Sequence, residues 1–451
     1  MLALLNRRVI RPLLARKSGS KVFRYLRLLE QTQFDPPDVI RARQFVELKR
    51  ILNHAYDTVP FYRERFRSAG LHPSDVKSFA DYEQLPVLTK SDLRNRGEEL
   101  RSAAKLPGEV IRKETSGSTG VAVRVHLDQR GLEWKYACTL RSDQWSGWRI
   151  GQPVAKVWGN PEYKKHGLKG RLRNWLVDRA IHLDTLDVTD ERLTQFTHEL
   201  NRHRPGLLFG HAHSLYLLAC HIKKRRLSVV KPGGIISTSM LLHQYQRAVI
   251  EEVFHTPVTN RYGCEEVSLI ASECETHDGL HLNSDSVYCE ATPGQGSTPM
   301  LVTDLSNYAM PLLRYQVGDM VVPASGGRCS CGRGLPMIRS IEGREADYVL
   351  TPTGRLVSGI SLTENFALHI AGAEQVQIVQ ETTDFLRLRV VPGREFGDRS
   401  RRQISDMLAA TFEGSMRHEV ELVDAIPQER SGKYRFCISE VAREHMRAMS
   451  A

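Results

Sequence analysis

Six consecutive small residues, Thr115-Ser116-Gly117-Ser118-Thr119-Gly120, carry four hydroxyls and two glycines. Hydroxyls and bare backbone N–H groups hold phosphate oxygens, and glycine lets the backbone come close and take φ > 0. The run therefore suits a clamp on nucleotide phosphates. It is not the P-loop of nucleoside triphosphatases, in which Lys follows the last glycine; here Val121 follows Gly120. Turns and linkers share this composition, so partners elsewhere must decide between the two.

Three later segments offer partners. Asn260-Arg261-Tyr262-Gly263-Cys264-Glu265-Glu266 follows a strand-like stretch. Its Tyr-Gly turn could stack an adenine, and Glu266 could ligate Mg²⁺, a hard ion that takes carboxylate oxygens. A surface turn with solvated glutamates is the plainer reading. Asp319, after the Gly318 turn, could accept hydrogen bonds from ribose hydroxyls, or simply end a strand. Lys433, after Ser431-Gly432, is a compact cation suited to phosphate oxygens, or a solvated loop lysine. Separately, Cys274, His277, His281, Cys329 and Cys331 are zinc-ligand types. The Cys329-Ser330-Cys331 spacing is shorter than the usual C-x₂₋₄-C, but the glycines at 326, 327, 332 and 334 suit a metal-binding knuckle. Free buried cysteines are the alternative.

The elements that position these residues follow from periodicity. The β-branched stretches Glu109–Ile111 and Val121–Val125 predict strands on either side of the small-residue run. Helical stripes cover 40–56, 129–145, 189–201, 214–225 and 242–254, and two short helices flank Leu85-Pro86. Buried strands are expected at 206–210 and 234–238. This alternation from about 105 to 265 predicts an α/β core with a largely parallel sheet. From 280 to 325, strand patterns follow one another without helices, which suggests a smaller antiparallel or barrel-like subdomain. Residues 344–451 read as a small α+β unit with strands at 376–379 and 386–391 and a helix at 400–412. The expected division is a basic arm at 1–40, a large domain at 41–342 and a mobile domain at 343–451.

At 451 residues, with 41% hydrophobic and 25% charged residues, the chain has the composition of a multi-domain globular protein. No apolar run approaches the length of a membrane span. Residues 1–50 hold twelve Lys/Arg against four Asp/Glu, most of the net charge of +11. The start lacks the continuous apolar region of a secretory signal. It reads either as a basic helix packed on its own domain or as an arm on an anionic membrane surface through residues 1–30. No nucleic-acid-binding module is recognisable. Eight cysteines are too sparse for a disulfide scaffold, and a reducing cytoplasm is the expected setting, with peripheral membrane contact as an option.

Taken together, these segments resemble the adenylate-forming (AMP-binding) superfamily, and most closely its phenylacetate–CoA ligase/CapK-like branch. The resemblance is carried by Thr115–Gly120, Tyr262-Gly-Cys-Glu-Glu266, Tyr315-Gln-Val-Gly-Asp319, Gly343-Arg344 and Ser431-Gly-Lys433, in the family order. Ala55–Arg63, Leu85–Lys90 and Cys329–Arg333 also look like this branch. The resemblance implies a large N-terminal domain and a small C-terminal lid. It implies attack of a carboxylate on the α-phosphate of ATP to give acyl-AMP and pyrophosphate. In that scheme Thr115–Gly120 hold the β- and γ-phosphates, Glu266 ligates Mg²⁺, and Asp319 and Arg344 hold the ribose. Lys433 bridges the substrate carboxylate and the α-phosphate. The second half-reaction is usually thioester formation with coenzyme A, which makes an acid–CoA ligase the leading reading. Transfer to an amine or hydroxyl in surface polysaccharide or cofactor biosynthesis is the alternative, and a non-catalytic membrane-associated binding protein is a reading of another class. The chain departs from the pattern at Glu265, where the family usually has Thr, and at Ala346, where Asp is common. The acid pocket is expected along 135–145, 209–215 and 236–265, with His211, His213 and Trp145 as pocket or packing residues. Neither the acid nor the oligomeric state is legible.

Overall fold

The computed structural model of the chain describes residues 2–115, 123–158, 168–185, 188–290, 298–324, 326, 328–342, 348–359, 362, 366, 369–426, 435, 437–442, 444 and 445. The two strands expected around the small-residue run are present as β1 (Val110–Thr115) and β2 (Val123–Asp128), paired antiparallel with Thr115 opposite Val123. Val123, Val125 and Leu127 alternate inward, the period of a half-buried strand. Asp128 then caps the helix Gln129–Asp143 by accepting from the Gly131 N–H at 2.8 Å.

The centre of the molecule is an 11-stranded sheet. Its parallel half holds β3 (Val154–Val157), β4 (Ala180–Leu183), β5 (Leu207–His211), β6 (Ile235–Thr238) and β7 (Val258–Cys264). Apolar side chains pointing to alternate faces explain the burial. Leu208, Ile235 and Val258 pack against the helices Asp190–His203, Ala212–Lys224 and Gln244–Phe254. Leu207, Phe209 and Ile236 face the helices Val22–Thr32 and Gln129–Asp143.

At β7 the direction changes. A tight turn leads into β8 (Ser268–Glu273), antiparallel to β7, and β9 (Leu280–Leu282) follows. Next come β10 (Val287–Glu290), β11 (Thr298–Asp304), β12 (Tyr315–Pro323) and β13 (Met337–Glu342), all antiparallel. β9 to β12 carry the strand patterns expected between residues 280 and 325, and β13 lies beyond them. Pairing of β13 with β9, Met337 opposite His281, joins them to the parallel half in one continuous sheet. The helix Pro37–Thr58 covers this half with Leu48, Ile51, Leu52 and Ala55. Pro60 ends that helix, as its sequence implies, and also opens another, Pro60–Ser68, because its missing N–H costs nothing in a first turn.

The C-terminal residues build a hairpin of β14 (Tyr348–Leu350) and β15 (Leu356–Ser358) and a four-stranded sheet. The sheet holds β16 (Ala373–Thr382), β17 (Phe385–Pro392), β18 (Arg417–Leu422) and β19 (Cys437–Ser439). Ile404, Leu408 and Phe412 on the helix Asp398–Phe412 fall at four-residue spacing and cover Ile378, Leu386, Leu388 and Val390. The hydroxyls of Ser214 and Tyr348 are hydrogen-bonded, tying this region to the helix after β5.

Candidate active site and metal centre

Ser116–Gly120, Arg344 and Lys433 lie outside the described residues, as does the side chain of Thr115. The rest of the expected nucleotide site gathers where the sheet changes direction. Gly263 is needed there: a Cβ would sit 2.3 Å from the Ser268 carbonyl oxygen. The turn it permits places Glu266, almost fully buried, against β12, where Tyr315 Oη donates to Glu266 Oε1 at 3.0 Å. On the same two strands Tyr262 Oη donates to Asp319 Oδ2 at 2.7 Å. Two hydrogen-bonded pairs, Glu266 with Tyr315 and Asp319 with Tyr262, thus join β7 and the turn after it to β12, and Tyr315 is a partner that the residue types did not single out. Gly318 takes φ +86°, so the turn before Asp319 favours glycine. The Lys90 ammonium lies beside Gly318, 3.8 Å from where its Cβ would be.

Lys113 Nζ lies 3.8 Å from Glu265 Oε2. The pair is exposed and weak, and it marks the end of β1 as lying beside the turn that carries Glu266. Burial, and then the Glu266 carboxylate, hold the Cys264 thiol well above its ordinary range, so it is a packing group.

Beside this group, the ends of the parallel strands meet the helix Gln129–Asp143. The helix is pinned by Arg141, itself buried, whose guanidinium donates to the partly buried Asp285 at 2.5 Å and to the buried Asn283 at 2.8 Å. Asp143 at its end pairs with Arg261 of β7 at 2.8 Å, and burial still raises the Asp143 carboxyl above its usual range. His211 closes β5 with only 2% of its surface exposed, its ring 3.9 Å from that of Trp158. Neither ring nitrogen has a hydrogen-bond partner among the described residues. Burial, with a smaller push from His213, lowers its pKa to about 3, so the imidazole is neutral. His213 itself is hydrogen-bonded to Gln246 at 2.6 Å. Trp145 donates to Gln33 Oε1 at 3.0 Å and packs with Ile40 and Cys274, a structural position.

The cysteine cluster also assembles. Cys274, His281, Cys329 and Cys331 present ligand atoms within 4.8 Å of one another. Cys274 Sγ is 3.6 Å from Cys329 Sγ, and Cys331 Sγ is 3.3 Å from His281 Nε2. A tetrahedron with Zn–S bonds of ~2.3 Å has S···S edges of roughly 3.8 Å, so this donor set fits zinc in size and type. His281 Nδ1 is 3.2 Å from the Leu335 carbonyl, the outer contact that leaves Nε2 for a metal. The β8–β9 register, with Ser272 opposite His281, brings His281 to Cys274. His277 does not join: it sits in the intervening turn, with Nδ1 3.1 Å from Glu273 Oε2.

Known proteins are similar to this chain over most of its length. Residues 349–440 match the CapK C-terminal domain family. Protein CapK of Staphylococcus aureus is 24% identical over 86% of this chain and 87% of its own. Phenylacetate-coenzyme A ligase of Escherichia coli (strain K12) is 25% identical over 72% and 76%. Among solved structures, 2-hydroxyisobutyryl-CoA ligase with 2-HIB-AMP and CoA in the thioesterification state superposes with a TM-score of 0.59. It is 20% identical and covers 93% of this chain and 94% of its own. The chain is therefore a relative of CapK and of the phenylacetate-coenzyme A ligases, built on the fold of the adenylate-forming CoA ligases.

Proposed function

We propose that this protein uses ATP to activate a carboxylic acid as its acyl-adenylate and passes the acyl group to coenzyme A. The observation that carries the reading is the paired contact of Glu266 with Tyr315 and of Asp319 with Tyr262 at the end of β7 and along β12. In the first step a carboxylate oxygen attacks the α-phosphorus, the bond to the bridging oxygen breaks, and pyrophosphate leaves. In the second, the thiol attacks the acyl carbonyl, its proton is lost, and AMP leaves. Tyr315 holds the Glu266 carboxylate, which would ligate Mg²⁺, an ion that would neutralise phosphate charge when bound. Asp319, held by Tyr262, retains carboxylate acceptor capacity for ribose hydroxyls. Thr115–Gly120 grip the departing phosphates, Arg344 contacts the ribose, and Lys433 balances the charge built at the α-phosphate.

A panel of carboxylic acids scored for ATP- and Mg²⁺-dependent pyrophosphate release tests the reading, followed by mass spectrometry with and without coenzyme A. No release with any acid would sink adenylation. Acyl-adenylate without thioester would favour an amine or hydroxyl acceptor.

The same reading places the acid between the end of the helix Gln129–Asp143 and the ends of β5 to β7, with His211 on its wall. His211→Ala is expected to raise KM for the best acid by about tenfold while KM for ATP stays constant, as loss of one buried neutral contact would give. Equal KM values for the acid in wild type and variant would remove His211 from the pocket.

Cys274, His281, Cys329 and Cys331 are assigned a structural zinc ion. Mass spectrometry of the metal content should find about one zinc per chain. Cys329→Ser should lose it and unfold at a temperature lower by roughly ten degrees or more, because such an ion contributes folding energy outright. Purified protein that is free of zinc and indifferent to its addition would rule the assignment out.

A further inference from the structure

The first helix of the chain is docked with its apolar face outward. Residues 2–17 are helical throughout, with a wider π turn at Asn6–Ile10. The buried side chain is Asn6, fully enclosed; it donates to the carbonyl oxygens of Leu176 at 2.5 Å and Val177 at 3.3 Å. Arg11 donates to the Val177 carbonyl at 3.0 Å. Gly151 lets the helix come this close, since a Cβ there would lie 2.5 Å from the Ala3 carbonyl oxygen. Leu5, Val9 and Leu13, at four-residue spacing, are exposed, and Leu4 and Leu14 flank them. A helix of a globular protein normally shows the reverse pattern.

The segment that receives Asn6 has the same character. Leu172 is 57% exposed and Trp175 64%. Seven large apolar side chains therefore stand in solvent on two joined helices, more than scattered surface residues require. Their surroundings are cationic. Residues 1–29 contain eight Lys/Arg and no Asp or Glu. Arg7, Arg8, Arg16, Lys17, Arg171 and Arg173 are all exposed.

We infer that the helix 2–17 and the adjoining residues 168–178 form a surface that lies in the interface of an anionic lipid bilayer. The apolar stripe enters the boundary between headgroups and acyl chains, Trp175 takes the interfacial place that indole favours, and the arginines meet lipid phosphates. A second copy of this chain would set these arginines against one another, so charge favours lipid. Among the described residues no helix is long and apolar enough to cross a membrane, so the contact is with one surface.

The test is sedimentation of the full chain with vesicles of phosphatidylcholine alone and of phosphatidylcholine mixed with phosphatidylglycerol. The chain should sediment with the anionic vesicles only, and less at high salt. The triple variant Leu5→Glu, Val9→Glu, Leu13→Glu should bind about tenfold more weakly or worse at an unchanged melting temperature. Should that variant fail to fold, Trp175→Ala, a single exposed change on the other helix, carries the comparison and should weaken binding severalfold. Brominated lipid should quench wild-type fluorescence more than that of Trp175→Phe. Three results would overturn the inference. One is wild-type protein that stays in the supernatant with anionic vesicles at low salt. Another is a folded triple or Trp175→Ala variant that sediments like wild type. The third is a concentration-dependent dimer, seen by analytical ultracentrifugation, that the triple variant abolishes.

Discussion

Lys433→Ala is expected to lose about 10²–10³-fold or more in adenylation and to keep the second half-reaction. The reason is where charge changes. Attack of a carboxylate on the α-phosphate brings two anions together, and a compact ammonium between them is worth most in that transition state. Once pyrophosphate has gone, the reacting centre is a neutral carbonyl, and an ammonium placed for the first step has little left to stabilise. Pyrophosphate exchange should therefore collapse, while thioester formed from chemically synthesised acyl-adenylate and coenzyme A should continue at near the wild-type rate. Lys433→Arg keeps the charge on a larger, planar group and should recover only part of the exchange. Exchange unchanged in Lys433→Ala, with the melting temperature also unchanged, would take Lys433 out of the reaction. Equal loss of both half-reactions would make it a general binding residue.

Periodicity made much of the fold legible. The helices read at 129–145, 189–201, 214–225 and 242–254 are present at Gln129–Asp143, Asp190–His203, Ala212–Lys224 and Gln244–Phe254. The strand read at 234–238 is β6. What periodicity could not give is which strands share a sheet. The strands after residue 280 look separate because no helices divide them, and the pairing that joins β13 to β9 links residues more than fifty positions apart. The same limit applied to the site. Tyr262, Glu266 and Asp319 are recognisable because each lies in a short motif. Tyr315 as the partner of Glu266 is not, since its hydrogen bond spans 49 positions. His277 and His281 are equally good zinc ligands by type. Only the β8–β9 register decides that His281 faces Cys274. That the His211 ring nitrogens find no hydrogen-bond partner among the described residues follows from burial beside Trp158 at a strand end, which no local spacing reveals.

Glu266→Gln should lower adenylation by about a hundredfold and raise the Mg²⁺ concentration needed for half-maximal rate. Gln keeps the size of Glu and its carbonyl can still accept the Tyr315 hydrogen bond, so the fold around β12 has no reason to change. What it lacks is negative charge, and a neutral amide oxygen is a poorer ligand for a small hard cation. Tyr315→Phe separates orientation from charge. It removes the hydroxyl that donates to Oε1 at 3.0 Å but leaves the carboxylate. One buried hydrogen bond to a charged group is worth roughly 1.5–3 kcal/mol, and part of that loss falls on stability. Its effect on rate should therefore be smaller, about tenfold, with a lower melting temperature. Loss of the exposed Lys113–Glu265 pair should do almost nothing, since such pairs contribute ~0–1 kcal/mol. Adenylation rates measured across a Mg²⁺ titration rank the three. If excess Mg²⁺ fully rescued Tyr315→Phe and not Glu266→Gln, the tyrosine would act by aiming the carboxylate. If Glu266→Gln matched wild type at every Mg²⁺ concentration, the carboxylate at this turn would be a packing group and the metal would be held elsewhere.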